Sequence, residues 1–453
     1  MKQSMLILLI SIMAALCSMA FAQSGYVYTQ ELNSVYASRA IYVCSDNSVV
    51  VLGNSDNTEE FHYMYAVITK LDPQGNILWR NYLESLSYEY ISITGVDIDA
   101  EDKVTFVTTV FWGSRIQLWT VNSAGEMNPL SYPVEIPIMG ITFNKALRTS
   151  NNEIVAVGMA SQDFHVSSAC FFRFSATGDT LVTAFWPAEL GSPLQRAEAY
   201  DLALMDNGNA YVTCSLHTGL GSVLEIDTAG ELVNRIDLPD DLRNNAVFSS
   251  LAIARIIGDE SCLIAGTFDS YPNTIIKVYS LLGNEVTHLF DIDNSILEFV
   301  STLLPYPGGM FICGSLSFYC GKVINLSTSG ELIWSRNQQG ENLCTYIAWD
   351  GFGSPSTALL GLDPTGSIYW AWGNIGTQVI IKLLPNGQLP IDDDVAAPSI
   401  SRITAYPNPM RDHLSIKLTQ DDGADRDENR IDIFNIKGQL IRSLKLTKGE
   451  TVW

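Results

Sequence analysis

Apolar and polar side chains alternate from Ala66 to Leu71, stop at Asp72-Pro73-Gln74-Gly75, and resume in Asn76-Ile77-Leu78-Trp79. A period of two on either side of a short glycine-containing break reads as two antiparallel strands joined by a tight turn. The pattern returns six times, around Val121-Asn122-Ser123-Ala124-Gly125, Phe174-Ser175-Ala176-Thr177-Gly178, Ile226-Asp227-Thr228-Ala229-Gly230, Tyr279-Ser280-Leu281-Leu282-Gly283, Leu326-Ser327-Thr328-Ser329-Gly330 and Leu383-Leu384-Pro385-Asn386-Gly387. The seven glycines, Gly75 to Gly387, are 50, 53, 52, 53, 47 and 57 residues apart. Glycine suits such a turn because a positive φ penalises any Cβ. A second series of turn residues lies upstream in each unit: Asp46-Asn47, Glu101-Asp102, Asn151-Asn152, Asp206-Asn207-Gly208, Gly258-Asp259, Pro307-Gly308-Gly309 and Asp363-Pro364-Thr365-Gly366. Each unit therefore holds four short strands in a meander. Seven such units predict an all-β, seven-bladed propeller over residues 23–390. A solenoid coil is shorter than these units, and a free-standing sandwich needs about 100 residues. Gly25 to Leu32 reads as an outer strand without a blade of its own, and it is expected to pair with the last blade and close the ring.

The two ends of the chain read differently. Lys2, the apolar run Met5 to Ala15 and the small-x-small triplet Ala20-Phe21-Ala22 predict a secretory signal peptide over residues 1–22. No later run is long enough to cross a bilayer, so no transmembrane segment is expected. After Gly387 an acidic linker at 391–400, containing Asp392, Asp393, Asp394 and Pro398, leads into a last segment at 401–453. That segment opens on Tyr406-Pro407-Asn408-Pro409 and continues in alternating strands around Leu414 to Leu418, Arg430 to Asn435 and, past Gly438-Gln439, to Leu444.

These motifs carry two resemblances. The stretch Leu71-Asp72-Pro73-Gln74-Gly75-Asn76-Ile77-Leu78-Trp79-Arg80 resembles the repeat of secreted bacterial propellers of the delta-60 or PQQ-like type. The Tyr-Pro-Asn-Pro start, the Ile433-Phe434-Asn435 strand and the Gly438 turn resemble the type A sorting domain of the type IX (Por) secretion system, a small β-sandwich. That resemblance implies delivery through the periplasm to the outer-membrane surface or the medium, with the secretion machinery as a partner. Met410 stands where the family commonly has Phe. The chain stops at Trp453, which resembles the start of the family's Trp-Asp-Gly element, so an incomplete sandwich is expected.

Composition narrows the partners. Of 453 residues, 47% are hydrophobic and 17% charged, which fits a globular chain, and the formal charge of −23 excludes nucleic acid as a natural partner. Beyond the leader lie Cys44, Cys170, Cys214, Cys262, Cys313, Cys320 and Cys344, an odd number without the spacing of a disulfide framework. Cys214, Cys262 and Cys313 fall in apolar strand runs and are expected to be buried. The spacing of Cys313 and Cys320 also allows a bridge across one hairpin, so both states stay open.

No metalloprotease, nucleophile-elbow, phosphate-loop or Cys-x-x-Cys motif is present. In a four-stranded meander the first and third turns share one face of the disc, and the second turns and the links between blades share the other. The second face collects the connections of unequal length, where binding residues tend to lie. They hold Phe61, His62, Tyr63, Trp112, Phe164, His165, His217 and Tyr271. His62, His165 and His217 occupy equivalent loops, yet a Zn²⁺ site needs ligands converging within about 2.3 Å, and loops of different blades stand too far apart. No cofactor is expected. Asp421, Asp422, Asp425 and Asp427 lack calcium-loop spacing and read as a solvated insertion, while Asp97, Asp99, Glu101 and Asp102 read as turn chemistry and surface charge. The expected function is an exported binding scaffold for an extracellular protein or glycan. The alternative is an extracellular propeller enzyme, either a quinoprotein-like oxidoreductase or a carbohydrate-active one.

Overall fold

The computed structural model describes residues 27–31, 35–56, 64–83, 91–110, 115–136, 140–161, 166–187, 197–217, 220–239, 247–256, 260–270, 273–293, 295–297, 299–316, 320–337, 359–363, 366–374, 377–384, 402–406, 415–419, 429–434, 440–446 and 450–452. Two compact units emerge, Met1–Ile391 and Asp392–Trp453.

One turn geometry builds most of the hairpins in the first unit. At 72–76 the Asp72 N–H donates to the Asn76 carbonyl at 2.8 Å and the Gly75 N–H to the Asp72 carbonyl at 2.9 Å, with Gly75 at φ 86°. The Asp72 Oδ1 accepts from the N–H groups of Gln74 and Asn76, so the side chain holds the turn from inside. The same construction recurs at 122–126, 175–179, 227–231 and 327–331. It also forms the first connection of several blades, where the left-handed position is taken by Asn47, Asp102 and Asn152 as well as by Gly208 and Gly366. Asn and Asp are the side chains that enter that region most readily. Gly283 departs from the pattern. It sits in a two-residue hairpin, Leu282 facing Glu285, and supplies the positive φ of 56° that a type II′ turn needs at its first central position.

The strands assemble into seven antiparallel sheets. Blade one runs from Val35–Val43 through Val49–Asp56 and Met64–Leu71 to Ile77–Leu83, and blades three to six repeat that order at 140–187, 198–237, 247–292 and 299–337. Blade two is irregular at its rim. After Ile91–Ile98, Val104–Val110 and Arg115–Val121, its outer strand is divided into Met127–Pro129 and Val134–Glu135. Pro129 and Pro133 bracket the break, as expected for residues that cannot donate to a ladder. Blade seven takes Leu359–Leu362, Ile368–Asn374 and Thr377–Leu383 from the end of the unit and its outer strand, Val27–Glu31, from the beginning. Val27 lies opposite Ile381 and Glu31 opposite Thr377, so the N-terminal strand closes the ring as the sequence predicts. The first strands of successive blades adjoin around the whole circle, including blade seven against blade one.

The core is divided into seven seams, each between two blades. Because side chains alternate across a strand, Ile154 and Ala156 enter the seam with blade two while Val155 and Val157 enter the seam with blade four. Cys44, Cys170, Cys214, Cys262 and Cys313 are buried free thiols within these seams. Register settles the question left by Cys313 and Cys320: Cys313 faces Val323, Cys320 faces Leu316, and Cys313 is unbridged because the two are three ladder positions apart. The second unit has a three-stranded sheet, Arg402–Tyr406, Ser415–Thr419 and Glu450–Val452, and a two-stranded sheet, Asn429–Phe434 with Leu440–Leu446. No helix among the described residues is long and apolar enough to cross a membrane.

Candidate functional site: the face of unequal connections

The two faces of the ring differ in the lengths of their connections. On the regular face the first connections 44–48, 99–103, 149–153, 205–209, 256–260 and 363–367 and the third connections 72–76, 122–126, 175–179 and 227–231 are five residues long, while 283–284 and 307–308 are two and 328–331 four. On the opposite face the second connections span 57–63, 111–114, 162–166, 218–219, 271–272, 317–319 and 375–376, and the links between blades span from 32–34 to 338–358. Phe61, His62, Tyr63, Trp112, Phe164, His165 and Tyr271 all lie outside the described residues. His217, expected in a loop, is instead the last residue of strand Ala210–His217, because the hairpin is closed by 218–219 alone. In the second unit Tyr406 ends strand Arg402–Tyr406, while Pro407, Asn408, Pro409 and Gly438, like Gly387 of the ring, lie outside the described residues.

What is described on this face is its base, and the base is tied from blade to blade. The buried Asn54 side chain donates from blade one to the Ile91 carbonyl of blade two at 2.5 Å. Ser167 and Ala197 exchange two bonds between blades three and four, Ser167 Oγ to Ala197 O at 3.2 Å and Ala197 N to Ser167 O at 3.1 Å. Asn144 Nδ2 reaches Glu198 Oε1 at 2.9 Å and Ala199 O at 2.8 Å, and the Val300 N–H donates to Thr267 Oγ1 at 3.0 Å. Asp201 joins three inner strands: Oδ2 accepts from the Ile253 N–H of blade five at 3.0 Å, Oδ1 accepts from Leu202, and Lys145 of blade three stands 3.8 Å away. Burial pushes the Asp201 carboxyl above its ordinary value, and Lys145 pulls it partly back. Such polar ties between blades, buried or half-buried, hold the strands from which the variable loops spring. These ties were not read from the sequence, because an isolated Asn or Thr in a strand gives no sign of a partner one blade away.

The opposite face brings together the one group of metal-ligand type among the described residues, Cys44, Asp46 and Asp102, with ligand atoms within 4.8 Å of one another. Its atoms are already engaged. Asp102 accepts from Ser45 N and Ser45 Oγ, both at 2.7 Å, across the seam between blades one and two. Asp46 accepts from Ser48 and lies 3.9 Å from Lys70. Burial pushes the Cys44 thiol up, away from the thiolate a metal requires. The group is a clamp between turns, so Asp102 does more than add surface charge. Asp97 does too, pairing with Arg148 of blade three at 2.5 Å. The buried thiols are equally unsuited to nucleophilic chemistry, with Cys262 pushed up to about 12 by its burial.

Residues 404–452 match the model of the secretion system C-terminal sorting domain, the Por secretion tail. The chain carries a type IX sorting tail. That tail implies handling by the type IX machinery and export to the cell surface or the extracellular space. No curated protein matches the sequence. Among solved structures, the ring is similar to the WD40 domain of SCAP from fission yeast, at 12% identity and a TM-score of 0.40 over 80% of this chain and 98% of that one. It is also similar to Sqt1 of Chaetomium thermophilum bound to the N-terminus of the ribosomal protein L10, at 12% identity and a TM-score of 0.47 over 85% of this chain and 94% of that one.

Proposed function

We propose that the chain is a cargo of the type IX secretion system whose propeller serves, outside the cell, as a binding scaffold for a protein or glycan. The contrast between the faces carries this reading. One face repeats a five-residue turn in ten of its connections, with two-residue turns at 283–284 and 307–308, whereas the other varies from the two residues 218–219 to the seven residues 57–63 in its hairpins and up to 338–358 in its links. Short, mostly repeated connections serve the ring, and longer, more variable connections on a rigid base are the usual place for recognition. The aromatic and histidine content of 57–63, 111–114 and 162–166 gives those loops the residue types that dominate binding hot spots. The resemblance of the repeats to secreted bacterial propellers is in keeping with the same destination.

The test is a binding screen of the mature full chain against glycan and surface-protein arrays, repeated with 57–63 and 111–114 shortened to two-residue turns. Binding lost in these variants and kept in an Asp227→Asn control on the regular face supports the reading. Binding that survives both shortened loops, or that disappears in the control, contradicts it.

A further inference from the structure

The seam between blades seven and one differs from the others in two independent ways. The first is covalent. Every other described outer strand follows its neighbour through a short turn, but the outer strand of blade seven, Val27–Glu31, pairs with Thr377–Leu383, some 350 positions later in the chain. Its pairing is the most non-local contact in the ring, and closure entropy makes such contacts late to form.

The second is electrostatic. In several blades a polar residue near the end of the third strand is pinned to the first turn: Lys70 to Asp46, Arg173 to Glu153, Glu225 to Asn209 and Lys382 to Asp363. The pin of blade seven is the most deeply buried of the ion pairs among them. Its side chains are 3% and 0% exposed, against 5% and 57% for Lys70 and Asp46 and 5% and 28% for Arg173 and Glu153. Lys382 stands 3.6 Å from Asp363 and 5.0 Å from the centre of the Tyr369 ring. Alternation puts Lys382 on the same side of its strand as Ile380, and Ile380 and Tyr369 belong to the seam with Ile41, Val49, Val51 and Leu71 of blade one. A fully buried pair is held against a large desolvation penalty, which water entering an opened seam would relieve.

We propose that the ring opens and closes at this seam, and that the edge of Thr377–Leu383 is an exchangeable strand site whose resident occupant is the chain's own Val27–Glu31. The N-terminal strand is the last to be inserted, and the site takes an extended segment with the same side-chain alternation. When the latch is displaced, the strand from a second copy is its chemical equivalent, and the route leads to a strand-exchanged dimer. Blades three and four, whose strands are all consecutive in the chain, stay closed.

Two full-chain variants test this by hydrogen exchange and unfolding kinetics. Gln30→Pro removes a ladder donor from the latch without touching the ring, because the two-residue hairpin makes Asn374 and Thr377 a hydrogen-bonded pair and alternation then turns Gln378 towards Gln30. Its expected effect is at least tenfold faster exchange across 377–383 with 154–161 of blade three unchanged, and the slow exchange returns on adding a synthetic peptide of residues 24–34. Gln30→Cys with Gln378→Cys joins two residues that face each other in the register and locks the latch when oxidised. The locked form is expected to unfold more slowly than its reduced form, by tenfold or more. Unchanged exchange at 377–383 in Q30P, equal acceleration in blade three, no response to the peptide, or equal unfolding rates of the locked and reduced forms would each overturn the proposal.

Discussion

At the scale of single residues, the recurring glycine meets two demands at once. Gly125 has φ 89°, and a Cβ placed on it would lie 3.0 Å from the indole of Trp79, the outer-strand tryptophan of the preceding blade. Trp79 Nε1 donates to the Ser123 carbonyl in the same turn at 3.0 Å. Gly230 is tighter still, because its Cβ would come within 2.1 Å of Val182 Cγ1. Gly283 has a positive φ and nothing within 4 Å. Gly283→Ala should therefore cost only the backbone term, about 1 kcal/mol. Gly230→Ala adds overpacking against blade three and should cost about 2 to 4 kcal/mol. Thermal melts of the two variants check this, and equal shifts would show that close approach of the blades contributes nothing. The sequence made the glycines legible as turn residues but not as contact points, since the contact is with a strand about 50 residues upstream.

Asp201 gives a pH signature at the same scale. Its carboxyl is raised by burial above the ordinary value of 3.8, so the folded chain holds that proton more tightly than the unfolded one does. Stability from this group is greatest below the unfolded value and falls as pH rises towards the raised folded value, after which it is flat. Asp201→Asn removes the dependence. Melting curves of both proteins from pH 3.5 upward should show the wild type losing stability relative to the variant as the acid range is crossed, and a constant difference would contradict the sign.

At the scale of the element, the pin between third strand and first turn is the recurring unit that the sequence conceals. Lys70, Arg173, Glu225 and Lys382 each stand five residues before a turn glycine, yet their charges differ and no pattern in the chain announces a shared role. Lys382→Met should cost about 3 to 5 kcal/mol, because it leaves Asp363 buried without its cation. Adding Asp363→Asn should recover most of that loss, since Asn can still accept from Ser367, which donates to Asp363 Oδ1 at 2.9 Å. Denaturant midpoints of the single and double variants measure the pair, and a double variant no better than the single would refute the assignment. The broken outer strand of blade two escaped the sequence reading for a related reason. Pro129 and Pro133 advertise a break, but only the backbone reveals that Ser131 replaces the missing ladder contacts, with Oγ accepting from Leu118 N at 3.4 Å, and leaves Tyr132 92% exposed.

At the scale of the molecule, the propeller, its seven units and its closing strand were legible because repetition multiplies a weak signal. The seams were not, because alternation shows that a strand has two faces without saying what each face meets. The candidate binding residues were chosen by the logic of faces alone; His217 falls at the end of strand Ala210–His217, and the others lie outside the described residues. The central claim joins a ring of this kind to an export signal in the same chain, and one measurement addresses it most directly. The full chain and a chain ending at Ile391 would be expressed in a bacterium with an active type IX system and traced in periplasm, on the cell surface and in the medium. The expected result is full-length protein outside the cell and shortened protein held in the periplasm. Equal export of the two, or retention of both while a known cargo leaves normally, would contradict the account.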